Sequence, residues 1–167
     1  LSSLVNFALY SQNEPEEYSV LLFGDPQPYS LNELDHFKRA IVDELNDSPA
    51  LFGISLGDIA GDNLDLLQPS VEVMQALQTH GYNVIGNHDS NIEATEDHLS
   101  DESFESRFGP ANYSFNYGKV HFIILDDIIW QGKRPNSGPY TGGFRADQLE
   151  FIKNELAYVP KDNLVVL

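Results

Sequence analysis

The chain has 167 residues, 26 acidic against 9 basic side chains, a formal charge of −17 and no cysteine. That length suits one domain with a real core, and 41% apolar residues argue against wholesale disorder. The missing cysteines exclude a disulfide scaffold, a thiolate zinc site and cysteine nucleophilic chemistry, while the negative charge argues against a nucleic-acid or anionic-membrane partner.

In chain order, residues 1–17 form a lead-in, mildly apolar over 1–9, either the end of a preceding domain or an element packing on this one. Residues 18–24 are β-rich and stop at Gly24, which predicts a strand. Ser30 and Glu33 make a capping-box pattern ahead of Leu34, Phe37, Ile41 and Leu45, an apolar stripe at helical spacing that fades by Pro49. A second strand is expected over 51–56, and a helix from Pro69 to His80 with Gly81 as its stop. A third strand is expected over 82–85. Strands alternating with helices through short connections predict an α/β domain with parallel strands. The acid-rich stretch 93–105 reads as a solvated loop entering a short helix that ends near Gly109. Residues 113–117 and 119–125 read as a β pair around Gly118, and 130–144, rich in Gly, Pro and polar residues, as a surface loop. A helix is expected over 146–159 with Leu149, Ile152 and Leu156 on its apolar stripe, then a buried strand over 163–167. No apolar run approaches the ~20 residues of a membrane-spanning helix.

Three predicted strands end in glycine followed by a polar cluster: Gly24-Asp25-Pro26-Gln27, Gly57-Asp58 extending to Gly61-Asp62, and Gly86-Asn87-His88-Asp89. Ligands of open α/β sheets gather beyond the carboxyl ends of the strands, so these loops would converge on one crevice. The set is mostly oxygen donors with one imidazole and no sulfur, which suits a hard or borderline divalent cation. A glycine ahead of each cluster permits a tight bend at the sheet edge. The loop 131–143, with Tyr140, either borders this crevice or is a plain surface connection.

Asp25-x-Gln27, Gly57-Asp58 and Gly86-Asn87-His88-Asp89, in that order, resemble the motifs of the calcineurin-like metallophosphoesterase superfamily, in its Gly-Asp-Pro-Gln branch. The pair 113–126 and the helix start at Gln148-Leu149-Glu150-Phe151 also look like that family, so the resemblance runs from about Tyr18 onward. It implies half of a four-layer α/β/β/α sandwich, with mixed sheets flanked by helices, and an incomplete catalytic domain over 18–167.

The resemblance further implies two divalent metal ions, Mn, Fe or Zn. Asp25 and Gln27 would bind the first, Asp58 would bridge both and Asn87 would bind the second. His88 would protonate the leaving alkoxide, and Asp89 would orient His88. Two cations ~3.5–4 Å apart activate a bridging hydroxide for in-line attack on phosphorus. The implied activity is phosphoester hydrolysis on a phosphorylated substrate, and the alternative is a metal- or phosphate-binding module without turnover. Metals would then attract the anion that Lys and Arg do not.

Gln27 stands where the family mostly has histidine, which would weaken the first site. Asp62 lies four residues after Asp58 rather than three, so no role is transferred to it. The family's later histidines have no counterpart here, which implies the first half of a larger domain. His36, His80, His98 and His121 read as structural or surface histidines.

Overall fold

The computed structural model describes residues 14–77, 79–132 and 139–167; most of the lead-in and part of the 131–143 loop lie outside these residues. Among the described residues no helix is long and apolar enough to cross a membrane. The chain is mixed α/β. Its first sheet holds β1 (Val20–Phe23), β2 (Phe52–Leu56) and β3 (His80–Val84), parallel and in the order β1-β2-β3. Between these strands run α1 (Leu31–Phe37) and α2 (Leu67–Met74). The second sheet is β4 (Tyr113–Tyr117), antiparallel to β5 (Val120–Ile124), with β8 (Leu164–Val166) parallel to β5 on its other side. After α3 (Glu102–Phe108) comes that β4–β5 pair, then a short hairpin of β6 (Ile128–Trp130) and β7 (Tyr140–Gly142), then α4 (Ala146–Leu156).

Ser30 caps α1 by accepting the Glu33 amide, while the Glu33 carboxylate reaches past the cap to accept the Tyr29 amide at 2.6 Å. The predicted stripe then slips by one residue. Residues Lys38–Val42 form a π turn in which the Asp43 amide donates to the Lys38 carbonyl, and this extra residue turns Val42 inward and Ile41 outward. Val42 packs with Phe23 and Leu77 on one face of the first sheet. On its other face, Phe52 and Ile54 meet Phe122 of the second sheet. The ring of Tyr82 stacks on Phe115 with centroids 3.7 Å apart, and Phe115 stacks on Phe122 at 4.8 Å. Aromatic pairs of this kind add to simple area burial.

Four expectations are corrected. The helix predicted to run to His80 ends at Met74, because His80 and Gly81 enter β3 and pair with Phe52 and Gly53 of β2. A ladder of backbone hydrogen bonds displaces the C-terminal glycine signal. The final strand forms but is an exposed edge: Leu164, Val166 and Leu167 keep 62%, 38% and 75% of their surface. The 130–144 stretch contributes the end of β6, Trp130, and all of β7 to an antiparallel pair rather than forming irregular structure alone. The α4 stripe also differs: Leu149 and Leu156 are exposed, and Gln148 is buried through polar anchoring described below.

Candidate metal and phosphate site at the strand ends

The three predicted loops meet at the carboxyl edge of the first sheet. The amide of Gln27 donates to the Asp58 carbonyl at 2.8 Å, and the Gly61 amide donates to the Pro28 carbonyl at 2.8 Å, which stitches the first loop to the second. The His88 amide donates to Asp58 Oδ1 at 3.1 Å, which joins the second to the third. Gly86 makes this possible. A Cβ there would stand 2.1 Å from both the Asp58 amide nitrogen and Asp58 Oδ1. Gly57 is equally constrained, with φ +92° and a virtual Cβ 3.0 Å from Gly86 Cα. Gly24 has no such role, since its Cβ would meet nothing.

The bend that follows β1 falls instead on Asp25. Among the described residues the non-glycine positions with left-handed φ are Asp25, Gln27, Asp58 and Asp62, at 54°, 42°, 50° and 60°. All four belong to these loops. Such backbone costs on the order of 1 kcal/mol or more per residue and persists where the surroundings dictate it. Of the four, Asp25 and Asp58 line the crevice.

Behind the loops a cavity of about 860 Å³ opens between the two sheets. Its walls are apolar, with Leu22, Ile54, Phe122 and Ile124 among them, and its mouth carries Asp25, Asp58, Asn87 and Asp127.

His88 and Asp89 diverge. They sit in a 3-10 turn, Asn87–Asp89, in which neighbouring residues point to different sides. The expected Asp89–His88 pairing is not what forms. Asp89 is completely buried, and its carboxylate accepts the amides of Ile59 at 3.1 Å, Ala60 at 2.8 Å and Gly86 at 2.9 Å. Burial pushes its carboxyl up to about 6, the three amides pull the other way, and the Asp58 charge adds to the rise. Asp89 therefore holds the second and third loops together.

The partner of His88 is Asp62, with Nδ1 to Oδ1 at 2.7 Å. A carboxylate only accepts, so Nδ1–H donates and Nε2 stays on the far side of the ring. No sequence spacing singled out Asp62; its left-handed backbone four residues beyond Asp58 is what turns it toward His88.

Among the described residues no three His, Asp or Glu side chains are arranged to hold a metal ion. The oxygen donors at this edge are the carboxylates of Asp25 and Asp58 and the amides of Asn87 and Gln27. Among the described residues no lysine or arginine is paired with Asp25, Asp58 or Asp62. This chemistry suits a hard cation, and the missing Cβ of Gly86 leaves the space that the Asp58 carboxylate enters, at the residue before Asn87. Four donors are fewer than two cations take, so the other positions fall to water, substrate oxygens or donors outside the described residues. Comparison with protein-family models gives no match, and no curated protein matches the chain.

Proposed function

We propose that the chain carries the strand-end half of a metal-dependent phosphoester hydrolase site of the calcineurin-like type. Asp25 and Gln27 would hold one divalent cation, Asn87 a second, and Asp58 would serve both. When bound, such cations supply Lewis acidity at the phosphoryl oxygens and acidify a water. The observation that carries the reading is the His88–Asp62 pair at 2.7 Å, set directly against Asp58 through the His88 amide.

In the reaction, a water releases one proton to solvent and its oxygen bonds to phosphorus in line with the departing oxygen. The phosphorus–oxygen bond to the leaving group breaks, its electron pair goes to the leaving oxygen, and His88 Nε2–H supplies the proton. Asp62 keeps the imidazole in the orientation that presents Nε2. The helices on one face of the first sheet, the second sheet on its other face and α4 beyond that sheet support an α/β/β/α sandwich.

The test is turnover of phenyl phosphate by the protein with Mn²⁺, alongside Mn²⁺ binding by calorimetry. Asp58→Ala is expected to lose both. His88→Ala should bind Mn²⁺ but turn over about 10²–10⁴ more slowly, and Asp62→Asn should slow turnover about 10–100-fold. Unchanged rates in His88→Ala would overturn the assignment. Gln27, a neutral donor, favours one second reading, a binding module without turnover; Mn²⁺ binding with no hydrolysis of any phosphoester would select it.

A further inference from the structure

Tyr29 has no part in the chemistry above, yet few residues near the crevice are held as firmly. Its amide is fixed on Glu33 Oε2 at 2.6 Å, and the residue before it is tied through the Pro28 carbonyl to the Gly61 amide at 2.8 Å. The phenol ring lies across Gly61. A Cβ at that position would meet three ring carbons, Cδ1, Cγ and Cδ2, at 2.8, 2.8 and 2.9 Å. The ring also stands edge-on to the His88 imidazole, with centroids 6.3 Å apart and planes at 76°. Despite these contacts 53% of Tyr29 is exposed. An aromatic side chain whose ring rests on the Gly61 backbone, whose own amide is tied to Glu33, and which is still open to solvent is preorganised to receive something flat.

Its position says what. His88 gives its proton to the oxygen that leaves phosphorus, so the group carried by that oxygen lies beside the imidazole, within reach of a ring whose centroid is 6.3 Å away. That ring belongs to Tyr29, and its free surface is apolar and planar. We infer that Tyr29 is a specificity residue, a platform for the leaving group, and that the substrate class is phosphoesters of planar aromatic alcohols or of nucleosides rather than of small alkyl alcohols. This rests on the phosphoesterase reading, because that reading places the leaving oxygen at His88.

The experiment compares phenyl phosphate, uridine 5′-monophosphate and ethyl phosphate as substrates with Mn²⁺, and phenylphosphonate and methylphosphonate as non-hydrolysed ligands. Wild-type protein should prefer the planar members of each set. Tyr29→Ala should raise KM for phenyl phosphate about three- to tenfold, the scale of one lost aromatic contact, with kcat, the pH profile and ethyl phosphate unchanged. Tyr29→Phe should behave as wild type. Gly61→Ala, which displaces the ring without removing it, should reproduce part of the Tyr29→Ala effect. A preference for phenyl phosphate alone assigns an aryl group, and one shared with the nucleotide assigns any planar group. Equal use of phenyl and ethyl phosphate by wild type overturns the platform. So does a Tyr29→Ala loss confined to kcat with a displaced alkaline limb, which would make Tyr29 a positioning residue for His88. No hydrolysis of any ester, with phenylphosphonate still bound more tightly than methylphosphonate through Tyr29, sinks the hydrolase reading and leaves the platform standing.

Discussion

Two clusters of carboxylates in this molecule are neutralised in opposite ways. Near the start of α4, Arg145 Nη1 lies 3.0 Å from Asp97 Oδ2 and 3.3 Å from Asp126 Oδ2. The Trp130 amide donates to Asp97, and the Gln148 side-chain amide donates to both Asn112 Oδ1 and the Asp126 carbonyl. There the chain brings its own cation, so the cluster is closed and joins the acid-rich loop, the β6–β7 hairpin and α4. At the strand ends, Asp89 is satisfied by backbone amides and Asp62 by an imidazole, while Asp25 and Asp58 keep oxygens facing the cavity mouth. A buried carboxylate with an arginine is architecture. Carboxylates aimed by left-handed backbone into a crevice, with no lysine or arginine paired to them among the described residues, are a place for a cation from outside. The charge of −17 is thus not one property but at least two.

The largest effect expected on breaking this contrast comes from Asp89. Asp89→Ala leaves the amides of Ile59, Ala60 and Gly86 without acceptors in the interior, which costs on the order of 3–6 kcal/mol in urea unfolding. Asp89→Asn sharpens it through pH. The folded carboxyl titrates at about 6 against an ordinary 3.8. A raised value means this group's contribution is fully present below about pH 4 and is lost as the pH climbs through 6. The stability difference between wild type and Asp89→Asn should therefore shrink in wild type's disfavour from pH 4 to pH 7. A flat difference would mean that Asp89 is not the buried, amide-held acid described above.

The contrast also explains how far the sequence could be read. Strand-loop order, the pairing of β4 with β5 and the meeting of three glycine-bounded loops follow from apolar runs and turn residues, which act locally. The missed features depend on backbone handedness or on neighbours distant in the chain. Asp62 reaches His88 only because φ is positive at Asp58 and Asp62, and residue spacing carries no sign of φ. His88 and Asp89 separate because a 3-10 turn sends adjacent side chains to different sides. The π turn that exchanges Ile41 for Val42 shifts the register by one residue without changing any apolar count. Gln148 is buried through hydrogen bonds that no hydropathy stripe records. Asp97, within the stretch expected to be a solvated acidic loop, is drawn in by Arg145, a residue 48 positions later.

The middle effect tests the closed cluster. Arg145→Met retains the aliphatic stem and removes the cation. Asp126, with its side chain 4% exposed, is then left as a nearly uncompensated charge. Removing one member of a buried pair commonly costs about 3–5 kcal/mol; Arg145 keeps 28% of its side-chain exposure, so water screening lowers the expectation to roughly 2 kcal/mol. Adding Asp126→Asn should restore part of that loss. Mn²⁺ binding at the strand ends should be unchanged in both variants, measured by calorimetry, since neither residue reaches that crevice. A parallel loss of Mn²⁺ binding would show that the two clusters are one coupled system.

The smallest effect separates two histidines with similar partners. His121 is buried in β5, its Nδ1 is 2.8 Å from Asn116 Oδ1, and its Nε2 lies 3.4 Å from Glu155 Oε2 with no hydrogen-bond partner. The Ser114 hydroxyl donates to the same Glu155 oxygen at 2.6 Å. This resembles His88 with Asp62 in composition only. With Asn116 Oδ1 accepting from Nδ1–H, Nε2 is a lone pair turned toward a carboxylate. Glu155→Gln can relieve that opposition, because its amide NH₂ donates to Nε2 while its oxygen still accepts from Ser114. Unfolding free energy should change by less than about 1 kcal/mol, toward greater stability. Turnover should be unaffected, whereas Asp62→Asn slows it with little change in stability. If Glu155→Gln slowed turnover to the same degree, the Asp62 effect would be a general response to weakening an acid–imidazole contact, and the case for His88 as proton donor would lose its specificity.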